Sequence, residues 1–320
     1  MMKHFGLGAT VLAGAFSATM AFAETQTIAI ANFGEHPQLN AVVQGIQDVV
    51  AESGRDIRVT VDHVNFDATL LPQMFARIEA SNPSIVVGIT TPVAQNMLNL
   101  LGDSGVPLLF AAVTDPVRAE LVPDWDHGGA NITGSSDSLD IAATLRFIKE
   151  LFPNAETIGI PYNPAEANDL ATLALAHEAA DATGLQISEV GVDNPNDIMA
   201  RVTALAARSD VIYGPGSSMI QPSIGAVASA AAQAGVPLVN MDDGPVREGL
   251  AAAGFTVSYH RIGEIVGEMA LRILDGESPA DIPPARPSYE DHTRIISRSG
   301  MAAVGAEIPA SFDDCDCFVD

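Results

Sequence analysis

The chain states one folding pattern twice, about 130 residues apart. Thr27-Ile28-Ala29-Ile30 returns as Thr157-Ile158-Gly159-Ile160, Gly105-Val106-Pro107-Leu108 as Gly235-Val236-Pro237-Leu238, and Pro116-Val117-Arg118 as Pro245-Val246-Arg247. Between these lie further partners. Ile85-Val86-Val87-Gly88 answers to Asp210-Val211-Ile212-Tyr213-Gly214, and Val59, Val61 and Asp62 answer to Val190, Val192 and Asp193. Order and spacing are both kept, so the series implies two similarly built lobes with a cleft between them as the natural ligand site.

Within each copy, short Val- and Ile-rich runs alternate with longer Ala-rich stretches. That is the pattern of parallel strands buried on both faces and joined by helices. It predicts strands over 26–32, 57–64, 84–89, 107–112 and 130–134, and again over 156–161, 186–192, 210–214, 236–240 and 253–257. Helices are expected over 39–53, 69–81, 92–102, 139–152, 166–182, 196–207, 218–234 and 260–275. Each half therefore reads as a doubly wound α/β sheet. A helix and the Pro-rich segment Pro279–Pro287 remain after the second copy, so the chain is expected to cross back and tie the lobes by several strands, an arrangement suited to hinge closure. The expected division is 24–136 with about 259–281 in one lobe, and 137–258 with about 282–320 in the other.

Lys3 and His4 precede an apolar run from Phe5 to Phe22 and the small-residue pattern Ala21-Phe22-Ala23. This is the layout of a secretory signal peptide cleaved after Ala23, which places the mature chain in an exported compartment such as a periplasm with no membrane insertion afterwards. No cysteine sits at the cleavage point to take a lipid. A net charge of -25, from 15 Lys and Arg against 40 Asp and Glu, opposes binding to nucleic acid or anionic lipid. The two cysteines, Cys315 and Cys317, lack the further Cys or His that a structural zinc needs and read as a local disulfide or an incidental pair.

In open α/β sheets ligands gather at the carboxyl ends of the strands. After the strand ending at Ile89, Thr90-Thr91-Pro92 presents Thr91 as a helix N-cap and Pro92 at the first helical position, a place suited to an anion. The matched loop Gly214-Pro215-Gly216-Ser217-Ser218 is neither a P-loop nor a dinucleotide fingerprint, and Ser217 or Ser218 is placed to cap the next helix. In Tyr162-Asn163-Pro164-Ala165-Glu166, Tyr162 and Asn163 sit at a strand tip, with Asn163 as an N-cap; Glu166 either faces the cleft or closes a capping box. Phe33 offers an apolar or stacking surface and His36 a hydrogen-bond donor. Thr114, Ser136, Asp137 and Asp242 complete the polar set, and the acidic loops among them are placed to accept an ammonium group.

No Gly-x-Ser-x-Gly elbow, His-Glu-x-x-His helix or body cysteine nominates a catalyst, and no cofactor or metal is expected. Taken together, Ile89-Thr90-Thr91-Pro92-Val93-Ala94-Gln95, Phe110–Pro116, Asn131–Asp137 and Tyr162–Asn168 resemble the ABC transporter substrate-binding family that includes tryptophan- and tyrosine-binding members. The resemblance runs from His36-Pro37 to Ile308-Pro309. It implies a type I periplasmic-binding fold, two Rossmann-like lobes with three crossovers, that delivers a small ligand to an inner-membrane ABC permease. By the same resemblance, Thr91 and Ser136 contact a carboxylate while Tyr162, Asn163 and Asp242 line the opposite wall. Pro215-Gly216-Ser217-Ser218 departs from the Pro-Thr-Asp-Asn type of loop that the family implies. An acidic acceptor for an ammonium is thereby missing unless Asp242, Asp137 or Glu166 substitutes.

The leading expectation is a monomeric periplasmic receptor for a small carboxylate-bearing solute, with an aromatic or other apolar amino acid favoured. Two alternatives share the fold: a periplasmic enzyme working in the same cleft, and the ligand-binding subunit of a sensor system.

Overall fold

The computed structural model describes Met1 and residues 25–320, so the expected leader and its cleavage point lie, apart from Met1, outside the described residues. The first copy runs β1 (Gln26–Asn32), α1 (Pro37–Glu52), β2 (Ile57–His63), α2 (Leu71–Ala80), β3 (Ile85–Ile89), α3 (Thr91–Leu101), β4 (Leu108–Ala111) and β5 (Ile132–Ser135). These strands form a wholly parallel sheet in the order β2-β1-β3-β4-β5. The second copy contributes α4 (Ile141–Leu151), β6 (Thr157–Tyr162), α5 (Ala167–Thr183), β7 (Gln186–Gly191), α6 (Ile198–Ala206), β8 (Val211–Gly214), α7 (Ile224–Gln233), β9 (Leu238–Asn240), α8 (Asp243–Arg247) and β10 (Ala253–Val257). Its strands pair in the same relative order, β7-β6-β8-β9-β10.

Equivalent residues hold equivalent places. Ile28 pairs with Val59 on one side and Ile85 on the other, as Ile158 pairs with Ile187 and Val211. In both sheets the strand order reverses beside the first strand, so the crevices at the carboxyl ends of β1 and β3 and of β6 and β8 are the switch points at which ligands bind such folds. Every residue of β3, β4, β8 and β10 is buried, which is why these strands read as unbroken apolar runs, whereas the edge strand β2 alternates with solvent.

The chain passes between the sheets three times. Residues 136–140 lead from β5 into α4, which packs on α5. Ser258 leads into α9 (Tyr259–Leu274), which returns to pack on α1, β4 and β5. The Pro-rich segment then opens with a short turn at Pro279–Asp281, and Ala285 bridges to Ser135 before the chain reaches β11 (His292–Ile296), antiparallel to β10. The tail, with α10 (Arg298–Ala303) and the Cys315–Cys317 disulfide, closes on β11 through the Ile296 N–H, which donates to the Cys317 carbonyl at 2.7 Å.

Several local expectations need correction. The helix expected over 218–234 begins only at Ile224, after a 3-10 turn at Gln221–Ser223, because Pro222 lacks an N–H and disfavours helical backbone before it. Helix α3 starts at Thr91 and not after it: Thr90 is the N-cap, at φ 85°, and its side chain caps nothing. Asn163 is not a helix cap either. Its Oδ1 accepts from the Ala165 N–H at 3.0 Å in a side-chain turn, and α5 starts at Ala167 with Glu166 at the N-cap. Elements α8, β11 and α10 lie where no element was expected.

Candidate functional site

The loops from both switch points face one another across a cleft that is partly open to solvent. Phe33 and His36 enter from the loop after β1, Phe66 from the loop after β2, Thr90 and Thr91 from the start of α3, Ala112 and Thr114 from the loop after β4, and Asp137 from the first passage between the sheets. The second sheet supplies Asn168 from the first turn of α5, and Gly216, Ser217, Ser218, Gln221 and Pro222 from the segment after β8. Tyr259, the first residue of α9, closes the floor.

The walls are chemically distinct. Phe33 and Phe66 meet edge to face with centroids 5.7 Å apart, an apolar corner of the kind that receives an aromatic or branched side chain. At the start of α3 the N–H groups of Thr91 and Val93 have no intrahelical acceptor and Pro92 has no N–H, so the positive end of an 11-residue helix is open to an anion. The backbone here is under tension. Phe66, Thr90 and Ala112 adopt φ of 65°, 85° and 52°, and for a β-branched residue such as Thr90 this is a rare state that surrounding structure must hold in place.

Two buried polar atoms of the lining have no hydrogen-bond partner, Thr90 Oγ1 on the first-sheet side and Asn168 Oδ1 on the second-sheet side. Such groups are costly unless something satisfies them. Asn168 is otherwise anchored: its Nδ2 donates to Glu166 Oε2 at 3.2 Å, Asp169 Oδ1 at 3.0 Å and the Gly216 carbonyl at 3.0 Å. Behind it, burial and the neighbouring Glu166 push the Asp169 carboxyl well above the usual carboxylate range, against hydrogen bonds from the Asn163 N–H and the Ser217 hydroxyl.

Seven of the twelve sequence-nominated residues line this cleft: Phe33, His36, Thr90, Thr91, Thr114, Asp137 and Ser217. The other five stand behind it or beside it. Ser136 is enclosed, donating to the Thr114 carbonyl at 2.9 Å and accepting from the Ser138 N–H. Asn163 lies on the far side of Glu166, which accepts from Asn163 Nδ2 at 2.9 Å and from the Ser218 N–H at 2.8 Å, and Tyr162, the last residue of β6, is outside the lining. These residues shape the wall that Asn168 and Ser218 present. Phe66, Asn168, Gln221 and Tyr259 are lining residues that the sequence reading did not nominate. The loop after β2 is a strand end like the others and offered a signal for Phe66, whereas Tyr259 offered none until the path of α9 was known.

Asp242 occupies a neighbouring hollow and caps α8, accepting from the Gly244 N–H at 3.1 Å. His36 Nε2 lies 3.9 Å from its carboxylate, too far for a hydrogen bond, and burial holds the imidazole below its ordinary pKa. Burial also raises the Asp242 carboxyl from 3.8 to about 6. The folded state then binds more protons than the unfolded one between those values, so this group's contribution to stability falls as pH rises through that window. Asp242→Asn keeps an equally good cap and removes the buried charge. It should be more stable than the parent by roughly 2 to 3 kcal/mol at pH 8, with the advantage vanishing near pH 4 in urea titrations.

A pair of doubly wound lobes, joined by three passages and presenting an open helix N-terminus and an aromatic corner to one cleft, defines a bilobal ligand-binding protein. The chain belongs to the ABC transporter substrate binding protein family, whose model matches residues 27–311. It is 30% identical, over 85% of this chain and 78% of the relative, to a tyrosine-binding protein of Clostridioides difficile strain R20291. Among solved structures it resembles an ABC domain from Streptococcus pneumoniae in complex with L-Trp, with 29% identity, a TM-score of 0.85 and coverage of 90% and 97% of the two chains. It also resembles the ligand-free, open structure of a Clostridium difficile substrate binding protein with adhesive properties, with 28% identity, a TM-score of 0.69 and coverage of 92% and 99%. The family and these neighbours are substrate-binding proteins, not enzymes. Among the described residues no helix is long and apolar enough to cross a membrane.

Proposed function

We infer that this chain is the exported solute receptor of an ABC importer, capturing an aromatic or other apolar amino acid between its lobes and presenting it to an inner-membrane permease. The observation that carries the reading is the pair of buried, unpartnered polar atoms on facing walls, Thr90 Oγ1 and Asn168 Oδ1, flanking the Phe33–Phe66 corner. A small molecule that bears polar groups at one end and an apolar body at the other satisfies both kinds of wall. The tyrosine-binding relative and the tryptophan complex support the same ligand class. The closer overlay on the liganded neighbour than on the open one supports a closed arrangement, with residues 24–136 and about 259–281 moving as one lobe against the remainder. Secretion with cleavage after Ala23, and action as a monomer, complete the proposal.

A thermal-shift panel of amino acids, sugars, nucleosides, polyamines and dicarboxylates tests it. L-Trp, L-Tyr or L-Phe should give the largest stabilisation, about 2.7 kcal/mol at a hundred times the dissociation constant. A strong shift with a neutral sugar and none with any amino acid would overturn the ligand class. Phe66→Ala should weaken an aromatic amino acid about tenfold, since it removes one ring of the edge-to-face corner together with its contact area.

A further inference from the structure

Although the chain carries 40 Asp and Glu residues, a single carboxylate lines the cleft among the described residues, that of Asp137. We propose that Asp137 receives the α-ammonium group of the ligand and so selects amino acids over the corresponding deaminated acids. The assignment rests on the amino-acid reading above and deepens it.

The other acidic groups near the cleft are committed elsewhere. Both Glu166 oxygens accept hydrogen bonds, from Asn163 Nδ2 on one side and from the Ser218 N–H and Asn168 Nδ2 on the other. Asp169 lies behind Asn168, holding the Asn163 N–H at 2.6 Å and Asn168 Nδ2 at 3.0 Å. Asp242 caps α8 in the adjoining hollow. The loop Gly216-Ser217-Ser218, where an acidic side chain would also reach the ligand, carries none.

Asp137 has the opposite character. It is 5% exposed, and its two side-chain partners are neutral hydroxyls: Thr114 Oγ1 donates to Oδ1 at 3.0 Å and the Tyr259 hydroxyl to Oδ2 at 2.6 Å. Among the described residues no Lys, Arg or His nitrogen lies within 4 Å of it. A carboxylate offers about four lone-pair positions, and the residue's own N–H also bonds to it, so at least one remains for a further donor. A buried carboxylate without a cation is unfavourable, and burial accordingly pushes its carboxyl up against the pull of those two hydrogen bonds and of its own N–H. An ammonium arriving with the ligand supplies the missing cation at a carboxylate that is largely screened from solvent.

The hydroxyls come from separate elements, the loop after β4 and the start of α9, so the carboxylate is held in one orientation before the ligand arrives. A methyl group added at Gly216 would sit 4.0 Å from Asp137 Oδ2, and its absence leaves the approach clear. Among the described residues no Lys or Arg lines the cleft. A ligand carboxylate therefore relies on the start of α3, and the net charge that the cleft accepts is that of a zwitterion.

Titration calorimetry of the purified protein with L-tryptophan and L-phenylalanine, and with 3-(indol-3-yl)propanoate and 3-phenylpropanoate, decides the matter. The parent should prefer each amino acid over its deaminated counterpart by a hundredfold or more. Asp137→Asn keeps one oxygen to accept from Tyr259 or Thr114, with the other hydroxyl turning to accept from the new amide N–H, and should lose ten- to hundredfold in affinity for the amino acids while the gap to the deaminated acids closes to within about fivefold. Undiminished affinity, or a preserved gap, in a folded variant overturns the assignment. If that variant does not fold, the parent decides alone: equal binding of an amino acid and its deaminated counterpart overturns it. If the parent binds neither amino acid, the ligand reading itself fails and the assignment with it, a result visible before any variant is made.

Discussion

Asn168→Asp, a change of one atom type at constant shape, is expected to destabilise the protein by about 3 to 5 kcal/mol at neutral pH. The Asn168 amide donates to Glu166, Asp169 and the Gly216 carbonyl, and the residue is 4% exposed. With Asp in its place these acceptors lose their shared donor, and a third carboxyl group joins two others in a buried pocket. The sign of the pH dependence follows. A carboxyl crowded in this way has a folded pKa above its unfolded value, so the folded state binds more protons, and the deficit grows as pH rises from about 4. Chemical denaturation at pH 4 and pH 7 checks this. A deficit equal at the two values would mean that charge repulsion is not its origin. Ligand affinity should fall as well, because the Asn168 Oδ1 that faces the cleft loses the anchoring that aims it.

Gly263→Val is expected to cost about 3 kcal/mol or more, lowering the thermal midpoint by several degrees. Helices α1 and α9 touch through glycine on both sides: a Cβ at Gly263 would meet the Val42 carbonyl oxygen at 2.1 Å, and one at Gly45 would meet the His260 carbonyl oxygen at 2.2 Å. Those obstacles are backbone atoms, so no side-chain rotation relieves the clash and the helices must separate. Separation moves the whole of α9, including Tyr259 at its start, whose hydroxyl holds Asp137. The variant should therefore lose ligand affinity in addition to stability, whereas Gly225→Val, at a helical glycine with nothing within 4 Å of its Cβ position, should lose far less of either. Melting curves with and without L-tryptophan for the two variants test the difference.

Much of the site's address was legible from the chain. Thr90, Thr91, Thr114, Asp137 and Ser217 all follow strands that the apolar runs marked, and a parallel sheet presents such loops at one edge. The choice between close neighbours was not legible. The first turn of α5 begins at Ala167, three residues beyond the start that an Asn163 cap implies, and a helix turns through about 100° per residue, so the later start re-aims that turn. The result is that Asn168 faces the cleft while Glu166 turns to the Ser218 N–H.

The sequence by itself determined the two-lobed, doubly wound architecture and the edge at which the candidate cleft lies. Buried parallel strands demand unbroken apolar runs, and those runs recur in order at a nearly constant offset that local patterning alone displays. Only the tertiary structure decided which carboxylate stands in the cleft. Asp137, Glu166 and Asp242 are equivalent as acidic residues in loops. They are told apart by contacts with distant segments: Tyr259, brought back by α9, holds Asp137 at the cleft; Ser218 draws Glu166 behind the wall; and Gly244 turns Asp242 into the cap of α8. Hydrogen bonds and burial of this kind depend on packing across more than a hundred residues in the case of Tyr259 and Asp137, which no local pattern in the chain encodes.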